Sequence, residues 1–185
     1  MNIKKAISYI AFGFLFTLVN INLTLNGKTL NVTPDFIGWI LFYLAIGCLG
    51  KYVSDKPYMK VVSLVLAVVK AVFWILDFIK PDVDIWVIKT VVGVVEAVFM
   101  FIFFGVIERI AADHGSSRAD TIRILKWINI VSYVALEIMA IMKDVLSIEA
   151  MATILLVFGL ALLVCAIITM FVLFGLRSEI NEKLA

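Results

Sequence analysis

The chain has 185 residues, 64% of them apolar and only 16% charged, against about 45–50% and about 25% in soluble globular domains. A water-soluble fold of this length has too little interior to hide that much hydrocarbon. The composition therefore excludes a soluble domain, a disordered tail, a disulfide scaffold and, with sixteen Lys+Arg against fourteen Asp+Glu for a net charge of +2, a nucleic-acid-binding module.

A hydrocarbon core about 30 Å thick takes about 20 apolar residues per helical crossing. Six stretches qualify: residues 6–25, 34–50, 59–79, 85–107, 127–146 and 150–176. Their apolar runs are too continuous for barrel strands, which alternate, and irregular backbone cannot face lipid. The fold predicted is all-α, an integral membrane bundle of six transmembrane helices built as three outward hairpins, with the whole of 1–185 one transmembrane domain. The breaks fall at Asn26-Gly27-Lys28, Ser54-Asp55-Lys56-Pro57, Lys80-Pro81-Asp82 and the polar stretch 113–120. Lys4-Lys5 ahead of an apolar run resembles an export leader. No small-x-small cleavage site follows, so the run reads as an uncleaved first helix.

Six crossings put both termini on one side. That side carries Lys4, Lys5, Lys51, Lys56, Lys60, Arg109, Arg118, Arg123, Lys126, Arg177 and Lys183, and the other only Lys28, Lys80 and Lys143. The positive-inside rule makes the first side cytoplasmic. Trp39, Trp74 and Trp86 are expected at the outer boundary, with Trp127, Tyr52 and Tyr58 at the inner one. Cys48 and Cys165 lie in apolar runs and read as small packing residues. The one sizeable aqueous segment, 108–126, reads as a basic interfacial helix attracted to anionic lipid, or as a docking site for a membrane or cytoplasmic partner.

Pro34-Asp35-x-x-x-Trp39 recurs 47 residues later as Pro81-Asp82-x-x-x-Trp86. Proline at a first helical position, an acid at the positive end of the helix dipole and an interfacial Trp explain each copy locally. The stretch Asn31-Val32-Thr33-Pro34-Asp35-Phe36-Ile37-Gly38-Trp39, after a first helix with Asn20 and Asn22, resembles small, uncharacterised bacterial multi-spanning membrane proteins with a Pro-Asp-Phe-Ile-Gly-aromatic motif. The likeness covers the first two spans and implies a bacterial cytoplasmic membrane. Six helices within 185 residues are also similar in build to the substrate-binding subunits of energy-coupling-factor vitamin transporters, an analogy of fold.

An ionised group at mid-bilayer costs at least about 2.5–3.5 kcal/mol, so each needs a reason. Lys70 lies eleven residues before Pro81, and Glu96 twelve after Asp84. Both depths come to roughly 16–18 Å at the helical rise, which predicts a buried Lys70–Glu96 ion pair. Glu137 sits at similar depth in the fifth span. Polar or small residues recur on one face of four spans: Gly13, Thr17, Asn20 and Thr24; Ser63, Ala67 and Ala71 beside Lys70; Lys89, Gly93, Glu96 and Met100; and Asn129, Tyr133, Glu137, Ala140 and Asp144. These seams read either as register-fixing contacts or as the lining of a cavity for a solute, protons or cations. In the second reading Lys70, Glu96 and Glu137 form the centre, with Asn20, Tyr133 and Asn129 as neutral partners. The outer acids Asp35, Asp82 and Asp84 would concentrate cations, although helix-start usage accounts for them equally.

The only histidine is His114, in the cytoplasmic segment. That excludes a bis-histidine haem bundle, a His-Glu-x-x-His protease and a Ser–His hydrolase. No phosphate loop and no Cys-x-x-Cys are present, and no cofactor or metal site is implied. The expected function is a small solute- or cation-binding transporter or a transporter's substrate-binding subunit. The alternative is a non-transporting structural or accessory subunit. A remote third is an intramembrane aspartyl enzyme using Asp35 and Asp82 as a proton-sharing dyad.

Overall fold

The computed structural model describes residues 2–18, 22–25, 28–31, 34–79, 86–142 and 145–182. In chain order these form α1 (Ile3–Leu18), β1 (Asn22–Leu25), β2 (Lys28–Asn31), α2 (Asp35–Leu49), α3 (Tyr58–Ile79), α4 (Trp86–Asp113), α5 (Ala119–Ile141) and α6 (Ile148–Glu182). Four stretches are long and apolar enough to cross a membrane: Asp35–Tyr52, Tyr58–Asp77, Val87–Asp113 and Ile148–Ile180. The chain divides into two compact units, Met1–Asp84 with Leu173–Ala185, and Ile85–Val172. α6 contributes to both.

The first unit departs from the expected first span. Residues 6–25 do not form one helix: α1 ends at Leu18, and Asn22–Leu25 pairs antiparallel with Lys28–Asn31. The reason is local. Asn22-Leu23-Thr24-Leu25 alternates polar and apolar residues, and Asn26-Gly27 after it is the pair that a two-residue hairpin turn prefers. The register sets Leu23 opposite Leu30 and Thr24 opposite Thr29. At 1.5 Å per residue the 16-residue α1 reaches about 24 Å, short of the hydrocarbon thickness, whereas α2 runs on through a short 3-10 turn, so that Asp35–Tyr52 is long enough to cross. The hairpin supplies roughly a further 13 Å, and β2 packs against α3.

α1 and α2 cross with almost no side chain between them. A Cβ on Gly38 would stand 2.5 Å from Thr17 Cγ2 and 2.7 Å from the Gly13 carbonyl oxygen, and one on Gly13 would meet the Phe42 ring at 2.5 Å. The seam foreseen in the first helix is therefore filled, at Gly13 and Thr17, by the second. Thr17 Oγ1 donates to the Gly13 carbonyl at 3.1 Å, satisfied within its own helix. Trp39, expected at the boundary, is buried at 2% exposure, edge-on to Phe42, which in turn meets Phe14. Tyr52 is also buried, whereas Tyr58 and Trp127 are exposed. Ser63 and Ala67 are buried on α3, while Val61, Leu64, Val65, Val68 and Val72 on its other face are open, as lipid-facing positions are.

In the second unit, residues 108–126 are not a separate surface helix. α4 continues to Asp113, Gly115 takes φ 59°, and the Ser116 and Gly115 amides donate to the Ala111 and Ala112 carbonyls. That is the glycine-ended stop of a helix, and α5 starts four residues later. His114 Nδ1 meets the Ile110 carbonyl at 2.8 Å, closing the same end. Glu108 then ties α4 to α5, accepting from Arg123 Nε and Lys126 Nζ, each at 2.7 Å. Hydrogen bonding from Glu108, then its charge and that of Asp120, raise the Arg123 guanidinium above its ordinary pKa.

The glycine crossing gives a paired test. Gly38→Ala should lower the thermal midpoint of the purified protein, because its methyl meets backbone and overpacking costs about 1–3 kcal/mol. Gly47→Ala, on the same helix with nothing within 4 Å, should leave the midpoint unchanged or raise it through helix propensity. Equal effects of the two changes would refute the close approach of α1 and α2.

Candidate functional site

Lys70 is the thirteenth of the 22 residues of α3, a cation in the middle of an apolar helix. Its ammonium lies 3.8 Å from Asp35 Oδ2, and the two side chains are 21% and 25% exposed. Asp35 is the first residue of α2, so its carboxylate faces both an ammonium and the positive end of a helix dipole. Its other oxygen, Oδ1, is buried and accepts no hydrogen bond among the described residues. Phe36 meets the Trp74 ring edge-on at 5.9 Å, one turn along α3 from Lys70, and this contact fixes the start of α2 against that helix. Asp35, expected among the acids at the outer end of a hairpin, meets the ammonium of a residue from the middle of the neighbouring helix. The sequence contained a signal for this. The Asn-Gly pair marks a hairpin that ends the first helix early, so a count of apolar residues per crossing passes over the strands that precede Asp35.

The second unit holds the other carboxylates. Glu96 on α4 is buried at 7% exposure. One turn before it, on the same face, the carboxylate of Glu137 from α5 rests against Gly93, in the space a Cβ would fill. Glu137 thus lies one turn along the α4–α5 pair from Glu96. Tyr133 is half-buried one turn from Glu137. Asn129 is buried but turns to α6, its Nδ2 donating to Cys165 Sγ at 3.9 Å. Cys165 in turn donates to the Leu125 carbonyl at 3.6 Å, so this cysteine joins two helices rather than merely filling space. Ser132 and Thr169 are buried alongside.

Lys70 belongs to the first unit and Glu96 to the second. Asn20, Asp82 and Asp84 lie outside the described residues, as do the second Pro-Asp copy and Asp144. The proton-sharing dyad needs Asp82; what Asp35 meets in the structure is an ammonium. Among the described residues no three His, Cys, Asp or Glu side chains come close enough together to hold a metal ion.

The Asp35–Lys70 contact is testable as a thermodynamic cycle. Asp35→Asn and Lys70→Met should each lower thermal stability by more than the ~0.2–1 kcal/mol of an exposed pair and less than the ~3–5 kcal/mol of a fully buried pair broken on one side. The double change should cost less than the sum of the two. Strict additivity would show that the side chains do not interact. Compared with known proteins, the chain finds no match among family models, curated proteins or solved structures.

Proposed function

We propose that the chain spans a bacterial cytoplasmic membrane six times, with both termini on the cytoplasmic side, and serves as a small solute- or cation-binding transporter or a transporter's substrate-binding subunit. The crossings are supported by the four long apolar stretches. The orientation is supported by the eleven-to-three division of Lys and Arg. The observation that carries the function is Lys70 beside Asp35 at the point where α2 begins, level with the middle of α3. Transporters place substrate and coupling-ion sites where interrupted helices expose their ends near the midplane, and intramembrane ionisable residues mark such paths. Glu96 and Glu137 add two carboxylates to one helix pair. With them, acids outnumber bases among the mid-helix charged groups, which favours protons or cations as cargo or coupling ion.

The alternative, a structural or accessory subunit, draws support from two observations. The α1 seam is filled by α2 at Gly13 and Thr17. An open cleft of about 380 Å³ between α5 and α6 has an apolar lining that includes Leu125, Val157, Leu160 and Val164, a surface suited to another membrane helix.

Liposomes containing the full chain and an internal pH-sensitive dye distinguish the two. Under an imposed potassium diffusion potential, or a sodium gradient, the protein should carry protons or cations above the rate of empty liposomes. Asp35→Asn should reduce that rate by at least about tenfold, the effect of ~1.4 kcal/mol, while Gly47→Ala should leave it intact. No flux, together with a thermal midpoint unmoved by protons, sodium or potassium, would sink the transport reading and leave the accessory one.

A further inference from the structure

The two units handle their cytoplasmic-end cations in opposite ways. In the second unit Arg123 and Lys126 are both held by Glu108, and Arg123 also by Asp120. In the first unit the hydrogen bond from the Asn2 amide to the Cys48 carbonyl, 3.2 Å, joins the start of α1 to the end of α2. Asn2 Oδ1 accepts from the Lys5 amide at 3.0 Å, capping α1. Gly50, with φ 55°, turns the chain through a short 3-10 segment, Gly50–Tyr52, toward α3, and Tyr52 and Val53 anchor that turn by burial. Five lysines, Lys4, Lys5, Lys51, Lys56 and Lys60, are thereby gathered on one end of this unit. Lys56 pairs with Asp55 at 2.6 Å. The other four take no carboxylate among the described residues. Three of them instead lie over tyrosine rings: Lys5 over Tyr9 at 5.6 Å, Lys51 over Tyr52 at 5.1 Å and Lys60 over Tyr43 at 5.0 Å.

We infer that this lysine–tyrosine end of the first unit is a binding surface for the headgroups of anionic phospholipids. Four ammonium groups without acidic partners would repel one another unless an external anion neutralised them. Tyrosine backing them is the amphipathic company found at headgroup depth. Exposed lysines next to apolar helix ends attract anionic lipid with an energy that grows with each charge and is screened by salt. The site is a surface rather than a pocket, since Lys5, Lys51 and Lys60 are all exposed. It is independent of the transport reading, because none of its residues belongs to the mid-helix polar groups.

The test is native mass spectrometry of the full chain after equilibration with an equimolar mixture of phosphatidylglycerol and phosphatidylcholine in detergent. The wild type should retain phosphatidylglycerol in preference, and raised salt before analysis should weaken that preference. Combined Lys4→Gln, Lys5→Gln, Lys51→Gln and Lys60→Gln should reduce the ratio by about tenfold or more, with the thermal midpoint in phosphatidylcholine unchanged. Should the fourfold variant fold poorly, Lys51→Gln with Lys60→Gln should produce a smaller drop in the same direction. Equal retention of the two lipids by the wild type, or a ratio unmoved in a folded variant, overturns the inference.

Discussion

A peptide group carried into hydrocarbon loses water as a partner, so its N–H and C=O must be satisfied by the chain itself. A helix meets that demand alone; a two-stranded hairpin meets it only between its strands and leaves two outer edges unpaired. The hairpin after α1 is therefore the element on which the first unit depends. Its strands span about 13 Å, and α3 runs a similar distance, about 14 Å, from Lys70 to its end at Ile79. The hairpin thus takes the place of one helical half beside α3, with β2 lying against that helix. α2 consequently begins beside Lys70 rather than beside the end of α3. The ion pair with Asp35 follows from a backbone requirement, and no special arrangement of side chains is needed to account for it.

Once α2 starts there, the electrostatics are determined. Asp35 stands at the positive end of a 15-residue helix with an ammonium 3.8 Å away, and each offsets part of the cost of burying a carboxylate. The separation is longer than a good charged hydrogen bond, about 2.7–2.9 Å, and both groups keep some exposure. Such a pair differs from the Glu108 clamp, where two donors sit at 2.7 Å and leave the carboxylate little freedom to take another partner.

Much of this was legible in the residues. The apolar excess and the four long apolar helices follow from composition and run length. The hairpin was legible too, in Leu-Thr-Leu-Asn-Gly-Lys-Thr-Leu, but a count of apolar residues per crossing reads those leucines as the end of a helix. Asp35 accordingly reads as the start of a helix at a loop, whereas the structure sets its carboxylate 3.8 Å from the Lys70 ammonium. The burial of Trp39 has a separate cause. Interfacial preference is a tendency of exposed tryptophan, whereas here Gly13 and Gly38 draw α1 and α2 so close that the neighbouring ring is enclosed with Phe42. The helix-ending glycine at 115 and the capping contact of His114 depend on backbone geometry that spacing alone does not specify.

Gly38 and Gly93 look alike in sequence, each a glycine within an apolar helix, and their surroundings separate them. What would collide with a Cβ at Gly38 is a methyl group and a backbone carbonyl of α1, so that glycine serves helix approach. What would collide at Gly93 is the carboxylate of Glu137. A helix pair selected only for close packing would fill that space with hydrocarbon, since a carboxylate there carries a desolvation cost that a methyl group does not. Gly93 instead leaves room for an ionisable group one turn from a second, Glu96. Two acids at one level of an apolar helix pair repel unless a proton, a cation or a basic side chain lies between them. The second unit thus holds carboxylate oxygens where apolar side chains would otherwise pack.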